Sequence, residues 1–213
     1  MNAKMMILCA KKCVWKWGYC LNMMNDSIDF LSIFKEVLES IRVDYLAFGF
    51  YVERDFVWCV QNRIWDRIRN DNLPYIVYHD YPIEEGRNRG ISVDLAVVRS
   101  GVYQKGSFKD VMHGKASAEF VAEFKFEPSK MRNDICTHKL PVVEWKKANE
   151  DIERITRFIV DKKTKSAAAI LVDEFGRYRS REIGSQSKWM DWGNYGNNQY
   201  NVSVLWTSIP KKR

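Results

Sequence analysis

Between Ala118 and Glu127 the chain alternates. Phe120, Ala122, Phe124 and Phe126 fall on one side of an extended backbone, and Glu119, Val121, Glu123 and Lys125 fall on the other. A period of two predicts a half-buried strand, and side chains two apart on a strand point the same way, so Glu123 and Lys125 project together. Ile91–Val98 predicts a second strand, with one acid, Asp94, among Ile91, Val93, Leu95, Val97 and Val98. A carboxylate in so apolar a strand is costly unless a cation, a metal or hydrogen-bond donors meet it. If the two strands are neighbours, Asp94, Glu123 and Lys125 converge.

The other segments frame these two. From Ser27 to Arg42, Ile28, Leu31, Phe34, Val37, Leu38 and Ile41 recur at helical spacing, and Val52–Arg69 does the same with Phe56, Val57, Val60, Ile64 and Ile68. Glu53 sits in the first turn of that second helix, where the helix dipole favours an acid; Asp55 is its rival and Gln61 a further polar contact on the same helix. Tyr75–Ile83 reads as a strand, and Gly86 and Gly90 punctuate a turn before Ile91, which predicts a hairpin with Arg87 and Arg89 at its tip. A polar connection, Arg99–Ser117, separates the two motif strands. Val142–Val160 predicts a third helix with Trp145, Ala148, Ile152, Ile155, Phe158 and Ile159 inward. Its other side mixes Lys146, Lys147, Arg154 and Arg157 with Glu150, Asp151 and Glu153, the pattern of a solvated face. The continuous run Ala167–Val172 predicts a buried parallel strand. Val202–Trp206 predicts a last strand after a turn rich in Asn, Gly and Tyr. Arg177, Arg179 and Arg181 alternate along an intervening edge.

Composition narrows the classes. With 213 residues, 46% hydrophobic and 14% aromatic, the chain has the size and makeup of one globular domain. The net charge of +7 invites a nucleic-acid reading, yet four of those charges are Lys4, Lys11, Lys12 and Lys16, in a leader without acids. Any phosphate-binding surface on the body is therefore local. Residues 1–23 are expected to be a disordered leader or a misassigned start, with the domain over 24–213. Five cysteines, three of them at Cys9, Cys13 and Cys20, form no disulfide framework, which favours a reducing, cytoplasmic setting. No run approaches the length of a membrane span. The three histidines, His79, His113 and His138, are scattered, and no Walker loop, dinucleotide fingerprint or zinc-hydrolase pair is present.

Asp94, a long connection and then Glu123-Phe124-Lys125 resemble the PD-(D/E)xK nuclease motif of the restriction-endonuclease-like fold, in which a further Glu often comes from a preceding helix. The resemblance covers roughly residues 52–174. It implies an α/β single domain with a central mixed sheet flanked by helices and an αβββαβ core. It also implies a metal-dependent phosphodiester hydrolase, endonuclease-like and acting on DNA. Asp94, Glu123 and Glu53 would hold Mg2+, or Mn2+ in its place, and Lys125 would assist the attacking water. Arg87 and Arg89 are the candidate nucleic-acid contacts. Three departures from the pattern are Val93 in place of the proline, the length of the connection, and a helical acid that could be Glu53 or Asp55. Two alternatives are a nuclease-fold module that binds nucleic acid or a partner protein without cutting, and an interaction protein of unrelated α/β fold in which Asp94 pairs with an arginine; a homodimer is also open. A Glu123 locked against an arginine would count against hydrolysis.

Overall fold

The computed structural model describes residues 28–47, 49–84, 91–100, 117–130, 132, 142–194 and 201–210. The predicted leader, the hairpin tip with Arg87 and Arg89, and His113 and His138 lie outside them. The first helix, α1 (Phe30–Asp44), begins three residues later than the periodicity predicts, because the Asp29 carboxylate accepts from the Leu31 and Ser32 amides at 3.1 and 3.3 Å. That is an N-cap, which sets where a helix starts. In α2 (Glu53–Asn70) the same work is done from inside the helix: Asp55 Oδ2 accepts from the Tyr51 and Val52 amides at 2.9 and 3.1 Å. Beyond its end, Asn72 takes a left-handed backbone (φ 51°), and Pro74 follows.

The strands are β1 (Tyr75–Glu84), β2 (Ile91–Arg99), β3 (Ala118–Glu127), β4 (Thr164–Asp173), β5 (Ser187–Asn194) and β6 (Asn201–Ile209), with α3 (Trp145–Val160) between β3 and β4. They form one mixed sheet in the order β1-β2-β3-β4-β6-β5. β1, β2 and β3 are an antiparallel meander, α3 carries the chain to a β4 parallel to β3, and β6 and β5 add antiparallel neighbours. Parallel neighbours require such a crossover.

Helices cover both faces of the sheet. Phe34, Leu38, Phe56, Val60 and Ile64 of α1 and α2 pack on Leu95, Phe120, Phe124 and Trp206, while Ile155 and Phe158 of α3 pack on Ala96, Val121 and Ala167. This corrects the expectation for β3. It is a central strand buried on both faces, and Glu123 is 1% exposed. β5 had no sequence signal because it is an edge strand in which Trp192 alone is buried. The chain is thus an α/β protein with a six-stranded mixed sheet, and among the described residues no helix is long and apolar enough to cross a membrane.

Candidate active site

Two local departures from regular sheet open the site. The β2–β3 ladder pairs Leu95, Ala96 and Val97 with Ala122, Val121 and Phe120 and stops there, although β3 continues to Glu127. Past that point Phe124 N–H donates to Asp94 Oδ2 at 2.7 Å. A carboxylate thus replaces the backbone acceptor that a continued ladder would have supplied. The second departure lies across β2, where Asp80 takes a left-handed backbone (φ 48°) at the position opposite Asp94 in the β1–β2 register. Asp tolerates this conformation better than most residues. One such residue breaks the alternation of a strand, so Val77 faces α1 and α2 while Tyr81 and Ile83 face α3. The two strands turn over at Asp80 and Asp94.

Into the gap between β2 and β3 reach side chains from both helical layers. Lys125 Nζ lies 3.5 Å from Glu53 Oε2 of α2 and 3.1 Å from Asp151 Oδ2 of α3, and it donates to the Phe124 carbonyl at 2.7 Å. Arg154 Nε donates to Glu123 Oε1 at 2.8 Å, and its Nη2 donates to Asp151 Oδ1 at 2.6 Å. The Lys125 ammonium is the one donor that Asp151 Oδ2 meets among the described residues, at an angle poor for a hydrogen bond. Four acids, Glu53, Asp94, Glu123 and Asp151, therefore surround two cations.

The imbalance registers in their protonation. Burial, reinforced by the charge of Asp94, pushes Glu123 up to about 9 in spite of Arg154. Burial pushes Glu53 up to about 7, with Lys125 pulling against it and Asp94 adding to it. Asp151 is also raised by burial, against the pull of Lys125 and Arg154. Burial opposes the charge on Lys125, but Asp151, Glu53 and Asp94 together outweigh it and hold the ammonium above its ordinary range. Upward shifts gathered in one place with nameable causes, burial for the acids and neighbouring acids for the lysine, are characteristic of functional sites.

A cleft of about 140 Å³ opens onto Glu53 and Asp94. Its α2 wall is formed by Arg54, Val57, Trp58 and Gln61, which share a side of the helix by their spacing, and its sheet wall by His79, Asp80 and Asp94.

Of the residues predicted from sequence, Asp94, Glu123, Lys125 and Glu53 come together here, whereas Asp55 is committed to capping α2. Asp151 and Arg154 were assigned to a solvated face, and the structure corrects this: Asp151 is buried and Arg154 is half-buried against Glu123. The signal was present, since Asp151 stands three after Ala148 and four before Ile155, on the buried stripe.

The implied magnesium was tested against these groups. The donors are hard oxygens of the kind that suit it, and magnesium ordinarily takes only one or two carboxylates and keeps its own waters. Among the described residues, however, no three acidic, histidine or cysteine groups are gathered so as to hold a metal, and Arg154 engages Glu123. The donor chemistry therefore fits a two-carboxylate site and does not form the expected three-acid shell. Comparison with family models, with curated proteins and with solved structures gave no match, so the reading of the site rests on its own geometry.

Proposed function

We propose that this protein is a metal-dependent phosphodiester hydrolase acting on DNA, an endonuclease of the PD-(D/E)xK type. The observation that carries the reading is the excess of carboxylate, two groups buried and two half-buried, around Lys125 at the splayed end of β2 and β3. The order of elements supports it: α2 bearing Glu53, a three-stranded antiparallel meander, a crossover helix and a parallel fourth strand follow the αβββαβ core. Asp94 and Glu123 would hold magnesium, or manganese in its place, as a two-carboxylate site, and Glu53 would stay outside it, paired with Lys125. Bound there, the ion supplies charge relief on the phosphoryl oxygens and a water of lowered pKa. Lys125 holds its proton firmly, so its role is to orient the attacking water and steady the developing charge as a cation. Asp151 anchors the Lys125 ammonium from the α3 side.

One observation favours a second reading. Glu123 is already engaged by Arg154, as expected of a nuclease-fold module that binds nucleic acid or a protein without cutting it. The two readings separate in one assay. The purified full chain, incubated with supercoiled and single-stranded DNA in magnesium or manganese, is expected to nick. The nicking is lost by a hundredfold or more in Asp94→Asn and in Lys125→Ala, on the order of the loss when one preorganised charge-stabilising group is removed. DNA left intact in both metals overturns hydrolysis. Binding that falls steeply with salt and survives Asp94→Asn would then establish the binding module.

A further inference from the structure

The cleft beside Asp94 has features that phosphodiester hydrolysis alone does not require. Trp58 stands at its rim 63% exposed, an unusual place for the largest apolar side chain. Gln61, one helical turn further along α2, lines the same cleft, with its Oε1 covered and without a hydrogen-bond partner among the described residues. Buried acceptors are nearly always paired, so an orphan lining an open cleft points to a donor arriving from outside. The cleft is also close to the size of a cavity that takes a single aromatic ring. A flat ring carrying N–H donors, fitted beneath an exposed indole, describes a nucleobase. Arg54, exposed at the mouth one turn before Trp58, lies where the attached phosphate would run.

We propose that this cleft receives the unstacked base of a single-stranded DNA segment, next to the phosphate cut at Asp94 and Lys125. Trp58 stacks on the base, and Gln61 accepts a hydrogen bond from its edge. A duplex cannot use the cleft without extruding a base, because its rings are enclosed in the stack. The site therefore selects single-stranded or locally unpaired DNA, which a uniformly basic groove would not do. The substrate assignment rests on the hydrolase reading, but the cleft's binding does not depend on cleavage.

The test measures binding of the full chain in EDTA, by fluorescence anisotropy, to a labelled single-stranded oligonucleotide, to a hairpin duplex of equal length and to a strand made abasic throughout. The single strand should bind several-fold more tightly than either of the others. Trp58→Ala should weaken it about tenfold, as expected for one lost stacking platform, while Trp58→Phe keeps most of the affinity. Gln61→Ala should weaken it less. Trp65→Ala, on the same helix but away from the cleft, is the control and should change little. Equal losses from Trp58→Ala and Trp65→Ala, or equal binding of abasic and ordinary strands, would overturn the base site. The two readings fail separately: strand-selective binding without nicking leaves the cleft and removes the hydrolase, while nicking of abasic strands at the wild-type rate does the reverse.

Discussion

Two groups of buried acids lie along the same stretch of sheet, and they are built in opposite ways. Glu127, Asp173 and Glu174, at the ends of β3 and β4, are all nearly inaccessible to water, yet each is provided with donors. Glu174 takes the Ser129 amide and the Tyr45 hydroxyl, both at 2.8 Å, and pairs with Arg132 at 3.2 Å. Glu127 takes the Val143 amide at 2.6 Å and pairs with Arg177 at 3.3 Å, and Asp173 takes the Phe175 and Tyr178 amides at 3.2 and 2.7 Å. Two residues earlier on β3 the pattern reverses. Around Lys125, four carboxylates share two side-chain cations and one backbone amide, Phe124 N–H, and Asp151 Oδ2 meets no donor but the Lys125 ammonium. Fixed backbone donors make a buried acid part of the scaffold. Where acids outnumber donors and cations, folding alone gives no reason for the arrangement, and a ligand that brings positive charge does.

The largest expected effect separates the two groups by stability. Glu174→Ala removes the carboxylate that pairs with the Arg132 guanidinium, which is 1% exposed, and should cost about 3–5 kcal/mol in urea unfolding. Glu123→Gln removes a group that burial already keeps protonated at neutral pH, so it should change stability by less than about 1 kcal/mol. Similar losses in both variants would erase the distinction.

A pH series sharpens it. In the folded chain Glu123 titrates at about 9 and Glu53 at about 7, both above their ordinary 4.5. Between 4.5 and 9 the folded state thus binds more protons than the unfolded state, and stability falls as pH rises through that window. In metal-free buffer the urea midpoint of the wild type should drop from pH 5 to pH 8.5, and that of Glu123→Gln should drop less. Parallel curves would mean that Glu123 is not the group responsible.

The sequence carried the scaffold's outline and half of the site. Eight of the nine helices and strands now described sit within three residues of where periodicity puts their starts, because their apolar faces are buried on one side or the other of the sheet. β5 was illegible since an edge strand needs no alternation. Asp94, Glu123 and Lys125 were legible because charges inside apolar strands violate the local pattern. Asp151 stood on the buried stripe of its helix, but among so many charges an acid and a base three apart look like a surface pair, and that masked both it and Arg154. Asp80 left no trace at all. Its role depends on a backbone conformation and on a register that only the assembled β1–β2 pair creates.

The smallest effect is the finest test, because it falls within one helical turn. Glu53 and Asp55 both open α2, where the helix dipole favours either acid. Their partners differ. Asp55 accepts two backbone amides, at Tyr51 and Val52, whereas Glu53 faces Lys125 at 3.5 Å and borders the cleft. By the same rule that divides Glu174 from Glu123, Asp55→Ala should cost about 1 kcal/mol of stability and leave nicking unchanged. Glu53→Gln should do the opposite, leaving the unfolding midpoint within error while nicking falls. If Asp55→Ala damages catalysis as much as Glu53→Gln, the first turn of α2 acts as a unit, and the division between acids held by the backbone and acids held by charge does not extend to the helix.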